Sequence, residues 1–381
     1  MGHAIGTERV SNFVGKIFED DLHAKRVLSL SNATAGVMRS GALGIHAIGR
    51  GLALAKRSST KHSVKQVDRL LSNEGIDVWE LFASWVPYVV ADRTEIWVAL
   101  DWTDFEADKQ ATLAASLVTT HGRTTPMAWL SVEKTSVEGL RAPTEEILLG
   151  RLRETLPPTV SKVVVLGDRG FGDPERWKAV RALGFDFIFR VRKDLRVADE
   201  KGNEKSAEEW VHPTGKTVTL KNARLTNEET PVGAFVTIRA PDMKEPWLLV
   251  TSLSDLAGPE VVKCYGRRFT IEESFRDLKD LKFGMGLSAT HISSTARRDR
   301  LLLLSALSIA LLTLLGAAGE AAGIDKHFKV NTSKKRQYSL FRQGCDYYEF
   351  LPEMREAWPS VSGLCLSSFC LTSIDSAVIS R

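Results

Sequence analysis

The chain changes its hydrophobic rhythm near residue 90. Before that point apolar and polar residues mix at helical spacing over 28–39, 40–55 and 63–72, broken by Ser, Asn and Gly, so residues 1–90 are expected to form a helical module. From residue 95 the runs 95–103, 111–120 and 125–132 are rich in Val, Leu, Thr and Trp, which predicts three strands. The pattern then predicts a helix over 143–156, a buried strand ending at Asp168, a helix over 174–183 and a strand over 185–191. Residues 194–252 hold strand-like runs at 217–220, 235–239 and 247–251 between turn sequences, which reads as an inserted β-subdomain. The pattern returns to core elements over 253–320. Its longest apolar run, 301–316, contains Ser305, Ser308 and Thr313 and falls short of the ~20 residues a bilayer requires, so it reads as a buried core helix with no membrane role. The fold class is α/β, with a core over 91–193 and 253–320 and a basic or interaction tail over 321–381.

The most informative stretch is 265–279. At ~100° per residue, with Tyr265 at zero, Arg268, Glu272 and Lys279 fall near 300°, 340° and 320°, in one narrow polar arc. Ile271, Phe275 and Leu278 lie beside it at about 220–280°, so one helix is expected to bury an apolar strip next to a charged one. Arg276, near 20°, joins the polar face, whereas Glu273, near 80°, points away. Two aspartates give Glu272 a purpose. Asp101 ends the apolar run 96–100, and Asp168 ends 163–167, and carboxyl ends of strands are where α/β sheets place their sites. Three such carboxylates form an all-oxygen set for hard divalent cations. Asp104, Asp108 and Asp173 read instead as turn or cap acids, with Asp173-Pro174 a natural helix start.

These residues resemble the DDE transposases of the insertion-sequence-4 family, whose signature Tyr-x2-Arg-x3-Glu-x6-Lys is unbroken at Tyr265, Arg268, Glu272 and Lys279. The resemblance spans residues 8 to about 320 and implies a ribonuclease-H-like catalytic core, which agrees with the order of three strands, helix, strand, helix, strand. It implies that Asp101, Asp168 and Glu272 hold two Mg2+ (or Mn2+) ions for phosphodiester cleavage and strand transfer. Tyr265, Arg268, Lys279 and Arg276 are then expected to hold DNA phosphates, Arg by its fork and Lys as a point charge. It also implies that Trp247 stacks on a flipped base near the transposon end, against the plainer reading of an aromatic packed in the insertion's own core. Hairpin formation at the ends is implied by the resemblance alone.

Charge sharpens this picture. The whole chain carries a net charge of +4, but residues 1–73 hold 11 Lys+Arg against 5 Asp+Glu. Lys61, Lys65 and Arg69 recur at i, i+4 and i+8, a helix face able to track phosphates, where the alternative is a solvated charged stripe. Arg297-Arg298-Asp299-Arg300 is expected to touch phosphates or to form a solvated helix end. Residues 326–342 carry six cations and no acid, suiting DNA or a flexible arm, and Leu364 to Cys370 form an apolar patch. Cys264, Cys345, Cys365 and Cys370 lack zinc spacing and read as incidental thiols. The first residues lack a secretory pattern, so a cytoplasmic, nucleoid-associated protein is expected. The partners expected are double-stranded DNA, as transposon ends and target, and a second copy of the chain. The alternatives are a metal-dependent nuclease without strand transfer and a catalytically silent DNA-binding regulator.

Overall fold

The structure, a computed structural model, describes residues 6–350 except 138, 226–229, 331 and 333–335, together with residue 352. Five helices open the chain: α1 (Thr7–Phe18), α2 (Ala24–Ser40), α3 (Ile45–Lys56), α4 (Thr60–Leu71) and α5 (Val78–Val90). Their apolar positions follow the helical period. In α1, Val10, Val14, Ile17 and Phe18 are the buried ones. The Asp77 side chain caps α5 by accepting from the Trp79 N–H at 3.0 Å.

The sheet follows, with β1 (Glu95–Phe105), β2 (Gln110–Val118) and β3 (Thr124–Glu133), then α6 (Lys134–Val137), α7 (Arg141–Thr155), β4 (Lys162–Gly167), α8 (Pro174–Ala182) and β5 (Asp186–Arg190). Strands β1, β2 and β3 are antiparallel neighbours, while β4 and β5 run parallel to β1. Val98, Leu100, Val163, Val165, Phe187 and Phe189 belong to one buried layer, which also takes in Leu148 and Leu152 of α7 and Trp177 of α8. Val164, Leu166 and Ile188 point the other way, into a smaller layer beneath α9 (Gly258–Gly266). Both faces are therefore covered, as parallel strands require. This mixed α/β sheet is consistent with a ribonuclease-H-like domain.

Residues 194–252, expected as an inserted β-subdomain, divide between two sheets. β8 (Val218–Lys221), β11 (Ala234–Ile238) and β12 (Trp247–Thr251) extend the main sheet to eight strands in the order β3-β2-β1-β4-β5-β12-β11-β8. The physical reason lies at β5, which would otherwise end the sheet with a row of unpaired peptide groups. β12 pairs antiparallel with it, Val250 opposite Phe189, and Leu248 to Thr251 are buried. Only the short β6 (Arg196–Ala198), β7 (Glu204–Ser206), β9 (Arg224–Leu225) and β10 (Thr230–Pro231) make a separate four-stranded sheet.

After α9 come α10 (Thr270–Lys279), α11 (Thr295–Ala321) and α12 (Leu340–Phe350). α11 is apolar on every side and nearly all of it is buried in the protein, as expected of a core helix. Its opening arginines are a correction to the sequence reading, since they neither reach solvent freely nor present an open phosphate site. Arg298 is fully buried, donating to Gln110 Oε1 at 2.7 Å, pairing with Asp108 and lying 3.8 Å over the Phe105 ring. Arg300 donates to the carbonyls of Ile76 and Leu71 at 2.8 and 3.0 Å, and Arg297 pairs with Asp68 at 2.7 Å. Arg297 and Arg300 fasten the amino-terminal helices to the core, Arg300 because the carbonyls at the end of α4 and in the loop after it need donors, while Arg298 ties α11 to the end of β1.

Among the described residues of the tail, α12 lies against α11 so closely that a Cβ on Gly344 would run into the Leu312 carbonyl, and one on Gly316 into that of Leu340. Arg336 forks onto Glu320 at 2.7 and 2.8 Å. The apolar patch 364–370 lies outside the described residues.

Candidate active site

The site begins with strand register. β1 runs parallel to β4 with Ala99 opposite Leu166, and two residues further along each strand stand Asp101 and Asp168. Neighbouring strands lie ~4.8 Å apart, so this register delivers two carboxylates side by side, Asp168 just past the end of β4 and Asp101 four residues before β1 ends at Phe105, which corrects the expectation that Asp101 ends its strand. Backbone donors orient each carboxylate: Asp101 accepts from the Trp102 N–H at 2.9 Å, and Asp168 from the Gly170 N–H at 2.8 Å.

Tyr265, Arg268, Glu272 and Lys279 were expected on one helix. The chain instead passes from α9 through a 3-10 turn at Arg267–Phe269 into α10, with Gly266, Phe269 and Thr270 all right-handed. The turn tightens the winding, and Tyr265 departs from the polar arc while Arg268, Glu272 and Lys279 stay over β1. Arg268 is buried and donates to Asp101 Oδ2 at 3.2 Å and to Glu272 Oε1 at 2.6 Å. Its Nε finds no acceptor. Lys279 Nζ donates to the Asp104 carbonyl at 2.7 Å and sits 4.6 Å from the Phe105 ring centre, which anchors the end of α10 to the end of β1. Arg276 is exposed and pairs with Glu273 at 2.9 Å. On its other side α10 is held by Arg123 to Asp277 at 2.6 Å and by Ser274, which accepts from the Thr124 N–H at 2.8 Å.

Tyr265 and Trp247 sit differently from the sequence expectation. Tyr265 is 1% exposed, so its ring belongs to the core under α9 and its hydroxyl meets Arg268 rather than open solvent. Burial pushes its pKa upward, so it stays neutral, and its oxygen accepts from Arg268. Trp247, first residue of β12, stacks on Phe269 at 5.5 Å and meets Tyr265 edge-on at 5.0 Å. It packs on the junction of α9 and α10, and not in a core belonging to the insertion. Lys61, Lys65 and Arg69 share the exposed face of α4, as the spacing predicts.

Electrostatics mark Asp101. Burial raises its pKa to about 6, Arg268 pulls it down, and the nearby Asp168 and Glu272 push it up again. Burial and crowded like charge are the conditions a bound cation relieves. The donor set, all carboxylate oxygen, suits Mg2+ or Mn2+. Among the described residues no three acid, His or Cys side chains are gathered into a ready metal cage, and the cation between Asp101 and Glu272 is the Arg268 guanidinium.

The raised pKa has a consequence for stability. A carboxyl held above its unfolded value binds its proton more tightly in the fold, so stability is fully present below about pH 4 and falls as pH rises through about 6. Asp101→Asn is therefore expected to unfold at a higher temperature than the parent at pH 8, by on the order of 1–3 kcal/mol, and at nearly the same temperature at pH 4. Thermal melts at the two pH values check this.

Sequence reasoning missed a buried acid. Glu145 on α7 accepts from Trp102 Nε1 at 2.9 Å and pairs with Arg176 Nε at 2.7 Å. The signal was available: Glu145, Leu148, Leu149 and Leu152 fall on one helical stripe, and an acid in an apolar stripe asks for a buried partner.

A mixed sheet with carboxylates on two adjacent parallel elements and a glutamate on the helix above them is consistent with the ribonuclease-H-like class of domain. A family model described as transposase DDE domain matches residues 95–311, more than half of the chain. The protein belongs to this family, the DDE transposases. No curated protein matches it.

Proposed function

We propose that the protein is a cut-and-paste transposase of the insertion-sequence-4 type, which binds the terminal inverted repeats of its own element, cleaves there and joins the ends to target DNA. One observation carries the reading: register brings Asp101 beside Asp168, and a buried arginine links Asp101 to Glu272. The unbroken signature from Tyr265 to Lys279 supports the insertion-sequence-4 assignment.

Asp101, Asp168 and Glu272 would hold two divalent ions, whose chemistry there would be activation of the attacking water or 3′-hydroxyl and stabilisation of the leaving oxygen. Arg268 would offer its guanidinium fork to a phosphate oxygen, with the Tyr265 hydroxyl beside it. Lys279 and Arg276 add positive charge along the same strand of DNA, and the Trp247 ring offers a stacking surface for an unpaired base. The helical module supplies duplex affinity through Lys61, Lys65 and Arg69, and two copies hold the two ends. It acts in the cytoplasm, at the nucleoid. Changing Lys61, Lys65 and Arg69 together to Glu is expected to weaken end binding by about 10³-fold and to flatten its dependence on salt, read by gel shift over a salt series.

The test incubates purified protein with a labelled fragment carrying the element's end, a target plasmid and either Mg2+ or EDTA. Metal-dependent cleavage with joined products supports the proposal. Cutting without joining identifies a nuclease, and specific binding without cutting identifies a regulator.

A further inference from the structure

The two aspartate-bearing segments are tied together by a chain of polar contacts that runs through α7 and α8. Trp102, whose N–H holds Asp101, turns its indole N–H to Glu145 Oε1 at 2.9 Å. The other Glu145 oxygen, Oε2, lies 2.7 Å from Arg176 Nε. Arg176 in turn donates through Nη1 to the Gly170 carbonyl, and the Gly170 N–H donates to Asp168 Oδ1 at 2.8 Å. One end of the chain is Asp101 and the other is Asp168.

Burial sets the weight of these contacts. The Glu145 side chain is only 5% exposed, and that of Arg176 20%. An ion pair in such surroundings is poor evidence of stability, because taking both charges from water offsets most of their attraction. A hydrophobic pair of similar size would pack α7 on the sheet as well. What Glu145 supplies is a directed hydrogen bond from Trp102 on one oxygen and, on the other, a close charge contact with Arg176 that lacks hydrogen-bond alignment. A carboxylate with one oxygen against β1 and the other against α8 fixes the separation of those two elements, as outer partners of metal ligands do. Neither Trp102 nor Arg176 could be held so by an apolar side chain.

We propose that Glu145 is a positioning residue that sets the spacing of Asp101 and Asp168 for divalent cations, acting through Trp102 on one side and through Arg176 and the Gly170 loop on the other. This rests on the assignment of Asp101 and Asp168 as metal ligands. Glu145 touches neither the metal nor the DNA.

The test uses full-length protein, with Mn2+ as the probe, followed by electron paramagnetic resonance. Alongside it run end cleavage over a Mg2+ series, end binding in EDTA and thermal melting. Glu145→Ala is expected to weaken Mn2+ binding by about 10- to 100-fold and to raise the Mg2+ concentration for half-maximal cleavage accordingly, while end binding in EDTA stays at the parent level. Glu145→Gln, which keeps an acceptor for Trp102 and loses the charge opposite Arg176, is expected to fall between the two. The proposal is overturned if folded Glu145→Ala titrates Mn2+ and Mg2+ as the parent does. It is equally overturned if Glu145→Gln and Glu145→Ala lose DNA binding and melting temperature in step with cleavage, which is the mark of a merely structural acid. Should the parent itself neither bind Mn2+ nor cleave, the ligand assignment has failed, and that outcome is separate from equal behaviour of parent and variant.

Discussion

Glu272→Ala is expected to lose end cleavage by 10³-fold or more, about 4 kcal/mol of transition-state stabilisation, while binding the transposon end as tightly as the parent or slightly more so. The asymmetry follows from where Glu272 stands. Its side chain is half exposed at the start of α10, so its removal leaves no cavity and changes stability by only a few tenths of a kcal/mol. Arg268 keeps Asp101 as a partner when Glu272 is gone. One negative charge fewer beside the DNA strand does not weaken phosphate contacts. A carboxylate lost from a set of three, by contrast, leaves a divalent ion without a ligand at the reacting phosphate. Cleavage and gel-shift assays on one preparation separate the two effects, and normal cleavage by this variant would remove Glu272 from the site.

Arg298→Ala is expected to be the most damaging single change to the fold, by about 3–5 kcal/mol, or roughly 10 °C in melting temperature. Removing the fully buried guanidinium strips Asp108, itself only 7% exposed, of its cation. It also empties the space over Phe105 and leaves Gln110 without its donor. Arg297, one residue earlier, makes the contrast. It pairs with Asp68, whose side chain is more than half exposed, and its replacement should change stability by less than ~1 kcal/mol. Thermal melts of Arg297→Ala and Arg298→Ala side by side test this ranking. Equal melting temperatures for the two would show that the buried pair is not what joins α11 to the sheet.

The two results bear on one design. Arg298 and Lys279 both lie over the Phe105 ring, at the end of the strand that carries Asp101. The strand end is therefore clamped by cations from two helices, α10 and α11, while Asp101 itself lies among like charges. The core is stabilised around the candidate site and not within it, and the raised pKa of Asp101 is the local sign of that arrangement.

Local physics made much of this legible from the chain alone. Runs rich in apolar, β-branched and aromatic residues marked β1 to β5, and helical spacing marked α2, α3, α4, α7 and α8, because burial on one face or two is written into the residues themselves. The spacing from Tyr265 to Lys279 and the apolar runs leading to Asp101 and Asp168 singled out Asp101 and Glu272, which the structure links through Arg268, and Tyr265, which it buries. Three matters needed the tertiary structure. The runs within 217–251 carry a strand period that is the same whether they pair with each other or with β5, and only the need of the β5 edge for partners decides. The charges of Arg297, Arg298 and Arg300 read alike in sequence, yet a rim ion pair, a buried strut and a clasp on loop carbonyls are different things, set by what packs opposite. Glu145 lies far along the chain from Trp102 and Arg176, and a contact across such a separation leaves no period to read. Periodicity reports which face of an element is buried; what it is buried against is a property of the assembled fold.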